Sequence, residues 1–272
     1  MKKLAVKPKI DLAFKKIFSE NQDLLKALIA AVLEIETSDI QEMVLENTEA
    51  LPEDINKKFC RFDLKVKMKG RYVDVEVQLN DQGDFQSRAL YYWSKLFSQS
   101  LSSGEDYNIL PETIVISFIN FSLFGCSEYH SNFVLKEKSR NDILTDKLSL
   151  HFLELKKLPK EIDKNKKIEL WLKLIGAETY EDLSELEKTE NQEIKTALDY
   201  VEKLNADETF KRQLEVREDT LRNEISALGF AKRQGKKEGK EEGKEEREKE
   251  MVEAMRANGM SEEQIKKIVN AK

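Results

Sequence analysis

RFDLKVKMKGRYVDVEVQL, residues 61–79, is the stretch of this chain that decides the fold. Apolar side chains occupy every second position on both sides of the pair Lys69-Gly70, and polar or charged side chains mostly occupy the positions between them. Alternation of this length around a glycine-containing pair is typical of a β-hairpin. A two-residue turn also fixes which residues face each other across the two strands. The facing pairs in this register are Met68 with Arg71, Lys65 with Asp74, Asp63 with Glu76, and Arg61 with Gln78.

One facing pair in this register consists of two acids, Asp63 and Glu76. Facing side chains have Cβ atoms roughly 4.5–5.5 Å apart, and like charges at that distance destabilise a sheet. A divalent cation between the carboxylates would offset the repulsion, and Mg²⁺ prefers such oxygen ligands. In the alternative interpretation both side chains extend into water from a solvated polar face. The spacing alone leaves both interpretations open, whereas Lys65 and Asp74 are predicted to form a structural ion pair.

The order of these residues resembles the active-site core of a known enzyme superfamily. Asp63, a short hairpin and then Glu76-Val77-Gln78 are similar to the D…(D/E)-x-K core of the PD-(D/E)XK nucleases. Gln at the lysine position resembles the recombination-promoting nuclease (Rpn) or PD-(D/E)XK transposase family. Further matching segments are residues 11–18 (DLAFKKIF), Arg88 with Tyr91-Tyr92, residues 103–121 and residues 152–157 (FLELKK). Together these segments cover roughly residues 5–160.

The resemblance implies an α/β fold: a restriction-endonuclease-like core with a mixed sheet flanked by helices, followed by a helical C-terminal extension. It also implies a metal-dependent DNA endonuclease that uses Mg²⁺, with Mn²⁺ or Ca²⁺ as alternatives. Asp63, Glu76 and the backbone carbonyl of Val77 would hold the metal, and Gln78 would take the place of the catalytic lysine. An amide can orient a water molecule but cannot offset developing negative charge, so we expect slow cleavage. The family label further implies a bacterial protein that acts in recombination or in defence against phages and mobile elements.

Four further residues are candidates for contacting DNA. Arg88 and Tyr91 lie in a predicted helix over residues 85–103, from which the guanidinium could donate hydrogen bonds to the scissile phosphate. The alternative for Arg88 is a solvated helix face on which it pairs with a local acid. Lys65 and Lys67 place positive charge near the hairpin, either for DNA or to block edge-to-edge pairing of strands.

Asp11 is a candidate for a further metal ligand because of the family resemblance. It lies near the start of a predicted helix over residues 10–18. In folds related to this family, an acid of this segment lies near the active centre. The alternative is that Asp11 complements the positive end of the helix dipole.

Composition and the remaining motifs argue against several other classes of protein. The net charge of −6 argues mildly against tight non-specific DNA binding, which is more typical of basic proteins. The two cysteines have no CxxC spacing for zinc, the two histidines support no catalytic triad, and no glycine-rich phosphate loop is present. The N-terminus does not resemble a signal peptide, and no apolar run approaches the roughly 20 residues that span a bilayer. We therefore expect a cytoplasmic protein without a membrane segment, with Cys60 and Cys126 as buried thiols.

Beyond the hairpin, the sequence predicts a central strand and then a change to helical patterns. Residues 113–121 (TIVISFINF) are almost entirely apolar, which is typical of a strand covered on both faces. Other predicted strands are residues 40–45, 132–136 and 148–155, the last containing a packed His151. The predicted division is a nuclease-like domain (1–160), a helical extension packing on it (161–229), a charged arm (230–250) and a small helical tail (251–272).

The C-terminal part is predicted to mediate contacts with other molecules. The arm contains Gly235, Gly239 and Gly243, and each glycine inside a helix costs about 1 kcal/mol relative to alanine, so we expect a partly helical, solvated arm. The tail is too small to build its own core and is expected to dock on a partner, a second copy or DNA. The resemblance implies that such pieces mediate homo-oligomerisation. The competing function is a catalytically weak or inactive relative that acts as an oligomeric DNA-binding or interaction protein.

Overall fold

The computed structural model describes residues 2–46, 49–50, 60–61 and 63–269. The chain forms two compact units, residues 1–211 and residues 212–272. Phe62, which was predicted to lie in the hairpin, falls outside the described residues.

The first unit contains all the described strands and most of the helices. The strands are β1 (Val44–Glu46), β2 (Glu49–Ala50), β3 (Cys60–Arg61), β4 (Leu64–Met68), β5 (Arg71–Gln78), β6 (Glu112–Ile119), β7 (His130–Phe133) and β8 (Leu148–Glu154). The helices are α1 (Asp11–Glu20), α2 (Gln22–Leu33), α3 (Phe85–Ser98), α4 (Lys167–Gly176), α5 (Tyr180–Ser184) and α6 (Gln192–Ala206). β2 and β3 pair with each other, and the other six strands form one sheet.

The hairpin predicted from residues 61–79 is present and is formed by β4 and β5. Gly70 in its turn has a φ of +73°, a left-handed conformation that glycine adopts without strain. The two strands pair in the predicted register, with Lys65 opposite Asp74. Asp63 lies in the bend just before β4, at the end of the paired region.

The six-stranded sheet is mixed and has the order β1-β4-β5-β6-β8-β7. β5, β6 and β8 run parallel to one another, and the remaining neighbours are antiparallel. β6 lies inside the sheet and is buried from Thr113 to Ile119, as its apolar sequence predicts. Helices pack on both faces, which confirms the predicted α/β fold with a mixed sheet.

Different helices cover the two faces of the sheet. α1 packs on one face, where its Phe14 lies over Phe118 of β6 with ring centroids 5.8 Å apart. α2 and α6 pack against α1, and α4 packs against α2 and α6. α3 covers the opposite face. Because side chains alternate along a strand, Asp74 and Glu76 of β5 point to the α3 face. Glu76 is 5% exposed and the side chain of Asp63 is 13% exposed, so the alternative prediction that both acids extend into water from a solvated polar face is wrong.

Several element boundaries differ from the prediction for local reasons. α3 ends at Ser98 rather than at residue 103, and hydroxyls of Ser98 and Ser100 bond carbonyls of its last turn, which competes with continuation of the helix. β1 begins later than residue 40 because Glu42 has a φ of +53°, which interrupts an extended chain. β7 ends at Phe133 because the chain after it turns back and pairs Lys136 with Ile143.

Predictions about two single side chains have opposite outcomes. His151 of β8 is buried, as predicted, and its ring lies 2.9 Å from His130 and 2.8 Å from the Ser149 hydroxyl. Cys126 is exposed and not part of a disulfide, so its prediction as a buried thiol is wrong. It lies in the connection between β6 and β7, where bends replace regular structure. The side chain of Cys60 is outside the described part of the chain.

The second unit is helical. α7 (Glu208–Ala257) begins at the end of the first unit and continues through Gly235, Gly239 and Gly243, so the predicted partly helical arm is a continuous helix. Lysine and glutamate, which are good helix formers, occupy the positions around these glycines.

A short second helix, α8 (Glu262–Val269), follows the long one. The predicted two-helix pattern is confirmed: the chain turns at Asn258-Gly259, and Ser261 and Gln264 exchange hydrogen bonds at the start of α8. Ile265 of α8 is buried. Within the described residues, no helix is both long and apolar enough to cross a membrane.

Candidate active site

A cleft of about 260 Å³ opens at the carboxyl end of β5, beside the first turns of α1 and α3. We call it the acid cleft. Its lining consists of Asp11, Asp63, Glu76, Val77, Gln78, Leu79, Asn80, Arg88 and Tyr92. The acid cleft therefore has room for several waters, or for a hydrated cation.

Asp63 and Glu76 meet in the acid cleft through reciprocal hydrogen bonds. The backbone N–H of Asp63 donates to Oε1 of Glu76 at 2.9 Å, and the backbone N–H of Val77 donates to Oδ2 of Asp63 at 2.9 Å. Each acid therefore uses one carboxylate oxygen to hold the backbone beside the other acid. The hairpin register carries Asp63 to this place, because it continues the β4–β5 pairing one residue beyond Leu64.

An ammonium group that the sequence analysis missed lies between two acids of the cleft. Nζ of Lys15 is 2.8 Å from Oδ1 of Asp63 and 3.0 Å from Oδ1 of Asp11. Asp11 and Lys15 are four residues apart in α1, so they share one side of the helix. That spacing is visible in the sequence, but the contact with Asp63 depends on how α1 packs on the sheet. Asp11 therefore lies at the start of α1 and also lines the acid cleft.

Burial and charge work against each other at the Lys15–Asp63 pair. Burial alone would lower the pKa of Lys15, but the charges of Asp63 and Asp11 and the hydrogen bonds to them raise it overall. Burial raises the pKa of Asp63, and the nearby charge of Asp11 adds to this, so the ammonium of Lys15 only partly compensates. The acid cleft thus holds more carboxyl groups than the one ammonium of Lys15 can pair with.

A third buried acid, Asp74, adds to this excess of carboxyl groups over cationic groups. Burial, followed by the charge of Asp63, raises the pKa of Asp74 well above its ordinary value. Burial, followed by the charges of Asp74 and Asp63, does the same to the pKa of Glu76. Both carboxylate oxygens of Asp74 are buried, and the carboxyl of Glu76 lies close enough to share a hydrogen bond with them.

The predicted ion pair between Lys65 and Asp74 is wrong. Although the two residues face each other in the register, Nζ of Lys65 lies 3.0 Å from Oε2 of Glu46 on the neighbouring strand β1. Lys65 is long enough to reach the more accessible acid at the sheet edge, whereas Asp74 lies under α3.

Gln78 and Arg88 form a second pair at the acid cleft. Nη2 of Arg88 donates to Oε1 of Gln78 at 2.9 Å, and Nε2 of Gln78 donates to the carbonyl of Asn80 at 2.8 Å. Both ends of the Gln78 amide are therefore engaged. Arg88 contacts amides here, rather than the local acid of the alternative prediction, since its Nη1 lies 3.4 Å from Oε1 of Gln82. Its Nε is buried without a hydrogen-bond partner in the described part of the chain.

Comparison with protein families places this geometry in a known group. The profile described as "PD-(D/E)XK nuclease family transposase" matches residues 8–231, most of the chain. The chain belongs to this family. The match confirms the resemblance drawn from the hairpin and contains every residue of the acid cleft. Searches of curated proteins and of solved structures found no match.

The other DNA-contact candidates of this family member lie outside the acid cleft. Tyr91 and its neighbour Tyr92 both pack against Leu96, but of the two only Tyr92 lines the cleft. Lys67 is exposed over the ring of Tyr72, with Nζ 5.6 Å from the ring centroid.

The donors of the acid cleft fit a hard divalent cation such as Mg²⁺. No three His, Cys, Asp or Glu side chains of the described residues converge into a ready-made metal site. Mg²⁺, however, needs only one or two carboxylates and keeps several waters. The ammonium of Lys15 on Oδ1 of Asp63 shows that this position stabilises positive charge.

The backbone carbonyl of Val77 faces the side of β5 on which Asp63 lies. The N–H of Asn120 on the β6 side donates to the carbonyl of Gln78 at 2.9 Å. Backbone groups of successive residues in a strand point to opposite sides, so the N–H and carbonyl of Val77 point away from β6. The N–H of Val77 donates to Asp63, and the carbonyl lies on that same side.

Proposed function

We propose that this family member is a metal-dependent DNA endonuclease that hydrolyses phosphodiester bonds. The observation that carries the proposal is the reciprocal bonding of Asp63 and Glu76 in an open cleft beside Arg88. Membership of a nuclease family supports the reaction class. The excess of carboxyl groups over ammonium groups in the cleft supports a role for a cation, which would stabilise their ionised forms.

Asp63, Glu76 and the carbonyl of Val77 are the proposed metal ligands. Mg²⁺ is the expected ion, and Mn²⁺ or Ca²⁺ offers the same preference for oxygen. A bound divalent cation would lower the pKa of a water molecule and offset charge on the phosphate. Asp11 would act as a further, outer acid, connected to Asp63 through Lys15.

Arg88 is the proposed phosphate-binding residue. Its guanidinium lies at the cleft and is held by Gln78 at Nη2, and its two Nη groups keep further N–H donors for a phosphate oxygen. Charge-assisted hydrogen bonds from a guanidinium suit phosphate oxygens. We infer that Gln78 acts mainly by holding Arg88, because the oxygen and the nitrogen of its amide each already have one protein partner.

DNA is the proposed substrate, with local charges rather than the net charge guiding it. The chain carries a net charge of −6, so Arg88 and the bound cation must dominate the contact with phosphate. Lys65 and Lys67 on β4 are proposed to contact flanking backbone. Recombination or defence against mobile elements, and oligomerisation through the C-terminal helices, are further proposals that follow from the family.

The test is nicking of supercoiled plasmid DNA across Mg²⁺, Mn²⁺ and Ca²⁺. Asp63→Asn and Glu76→Gln should each slow nicking at least about 100-fold, because the lost metal interaction is worth several kcal/mol. The matched control is Asp142→Asn, which alters an exposed acid paired with Arg140. Wild-type rates in both cleft variants would reject the site.

The second candidate function is a non-catalytic, oligomeric DNA-binding or interaction protein. The occupied amide of Gln78, in place of a lysine, is the observation that favours it. Intact plasmid with all three metals, together with binding of DNA by the wild type, would support this candidate.

A further inference from the structure

The acid cleft already contains a positive group that the proposed function does not use. Lys15 extends from α1 and places its ammonium 2.8 Å from Oδ1 of Asp63, a proposed metal ligand. The second oxygen, Oδ2, accepts the backbone N–H of Val77. The two oxygens of Asp63 thus have different partners: Oδ2 is bonded to the backbone and Oδ1 to a lysine side chain.

We propose that Lys15 is the resident counter-ion of the acid cleft: its ammonium occupies the position on Asp63 that a divalent cation takes, and it thereby sets the affinity and charge selectivity of the metal site. This inference rests on the proposed function, since it requires a metal at Asp63. A cation that binds there must displace an ammonium of charge +1. A monovalent ion carries the same charge as the ammonium, so the electrostatic attraction to Asp63 changes little on exchange. A divalent ion carries twice that charge and is attracted more strongly.

The orientation of Asp63 does not depend on Lys15. The bond from Val77 N–H to Oδ2 and the bond from Asp63 N–H to Glu76 fix the acid from the backbone. Removing the ammonium should therefore leave the ligands in place and remove only a competitor. A purely structural lysine would have the opposite effect, because its loss would disorder Asp63 and weaken metal binding.

Lys15 also has a resting place when it leaves Asp63. Asp11, four residues earlier in the same helix, lies 3.0 Å from Nζ. The ammonium can keep this contact and move away from Asp63 without becoming an unpaired, partly buried charge. Asp11 thus acts as a docking group for the displaced lysine.

The adjacent Lys16 provides a matched control within the same helix. Its ammonium lies 2.6 Å from Oε1 of Glu20 and has no contact with the acid cleft in the described residues. Lys16→Met removes the same charge from α1 as Lys15→Met. A long-range effect of net charge would appear equally in both variants.

The experiment is calorimetric titration of Mg²⁺ and Ca²⁺ into the wild-type full chain, Lys15→Met, Lys15→Gln and Lys16→Met. We expect Lys15→Met and Lys15→Gln to bind both ions on the order of tenfold more tightly, since a unit charge a few ångströms away is strongly repulsive at a partly buried site. Lys16→Met should match the wild type. Lys15→Gln keeps a hydrogen-bond donor for Asp63, so it still tests the inference if Lys15→Met does not fold.

A second readout is thermal stability with and without metal. Lys15→Met should melt below the wild type in EDTA, because its acids lose their counter-ion, and saturating Mg²⁺ should close that gap. Metal affinities of both Lys15 variants that equal or fall below those of the wild type and Lys16→Met would overturn the inference alone. Absence of metal binding in all four proteins would instead reject the proposed function, and the inference with it.

Discussion

Asp74→Asn is predicted to stabilise the metal-free protein, and the gain should grow with pH. Asp74 is fully buried, and a hydrogen bond with the neighbouring carboxyl of Glu76 only partly offsets the cost of ionising it there. Burial and the charge of Asp63 raise its pKa well above the ordinary value. Asparagine has nearly the same shape and carries no charge, so it removes the cost of ionising this group.

The sign of the pH dependence follows from the raised pKa. The stability that protonated Asp74 gives is fully present below its unfolded-state pKa, and it is lost as pH rises through the folded-state pKa. Asparagine has no such loss. The wild type and the variant should therefore be similar near pH 4.5 and differ most near pH 8.5.

The expected gain at high pH is about 1–4 kcal/mol, by analogy with the gain seen when buried ion pairs are replaced by uncharged residues of similar volume. For a domain of this size, each kcal/mol raises the melting temperature by about 2–4 °C. The assay is urea denaturation in EDTA at several pH values. Asp142→Asn is the control, because its side chain is 66% exposed and should show no such trend. A variant that is less stable than the wild type at pH 8.5, or a gain that does not depend on pH, would refute the reasoning.

Two further predictions concern His151 and Gln78. Burial, followed by the charge of His130, lowers the pKa of His151 from 6.5 to about 4. The contribution of neutral His151 to the free energy of unfolding should therefore be complete above pH 6.5 and should fall by about 3 kcal/mol as the pH drops to 4. Acid denaturation of the wild type and His151→Leu checks this, and an equal loss in both would contradict it. Gln78→Ala should raise KM for DNA roughly tenfold by releasing Arg88, with kcat and Mg²⁺ affinity little changed. A fall in kcat at constant KM would instead assign Gln78 to the attacking water.

The sequence was sufficient to predict the hairpin and the meeting of its two acids, because both depend on local features. Alternation and a glycine turn determine the register, and the register brings Asp63 beside Glu76. The α/β class followed from the apolar run of β6 and the family resemblance.

The parts of the site that were missed depend on packing between distant segments. Asp74 alternates with valines in a pattern that also suits a solvated face, and only the position of α3 buries it. Lys15 reaches Asp63 only because α1 packs beside the end of β5. Lys65 bonds to Glu46 rather than to Asp74, because β1 adds a more accessible acid at the edge.

Titration of Mg²⁺ into the wild type and Asp63→Asn, followed by calorimetry, tests most directly whether the two acids form a metal site. The account predicts saturable heat with the wild type and none with Asp63→Asn, while Asp142→Asn binds as the wild type does. Equal heats for the wild type and Asp63→Asn would contradict it.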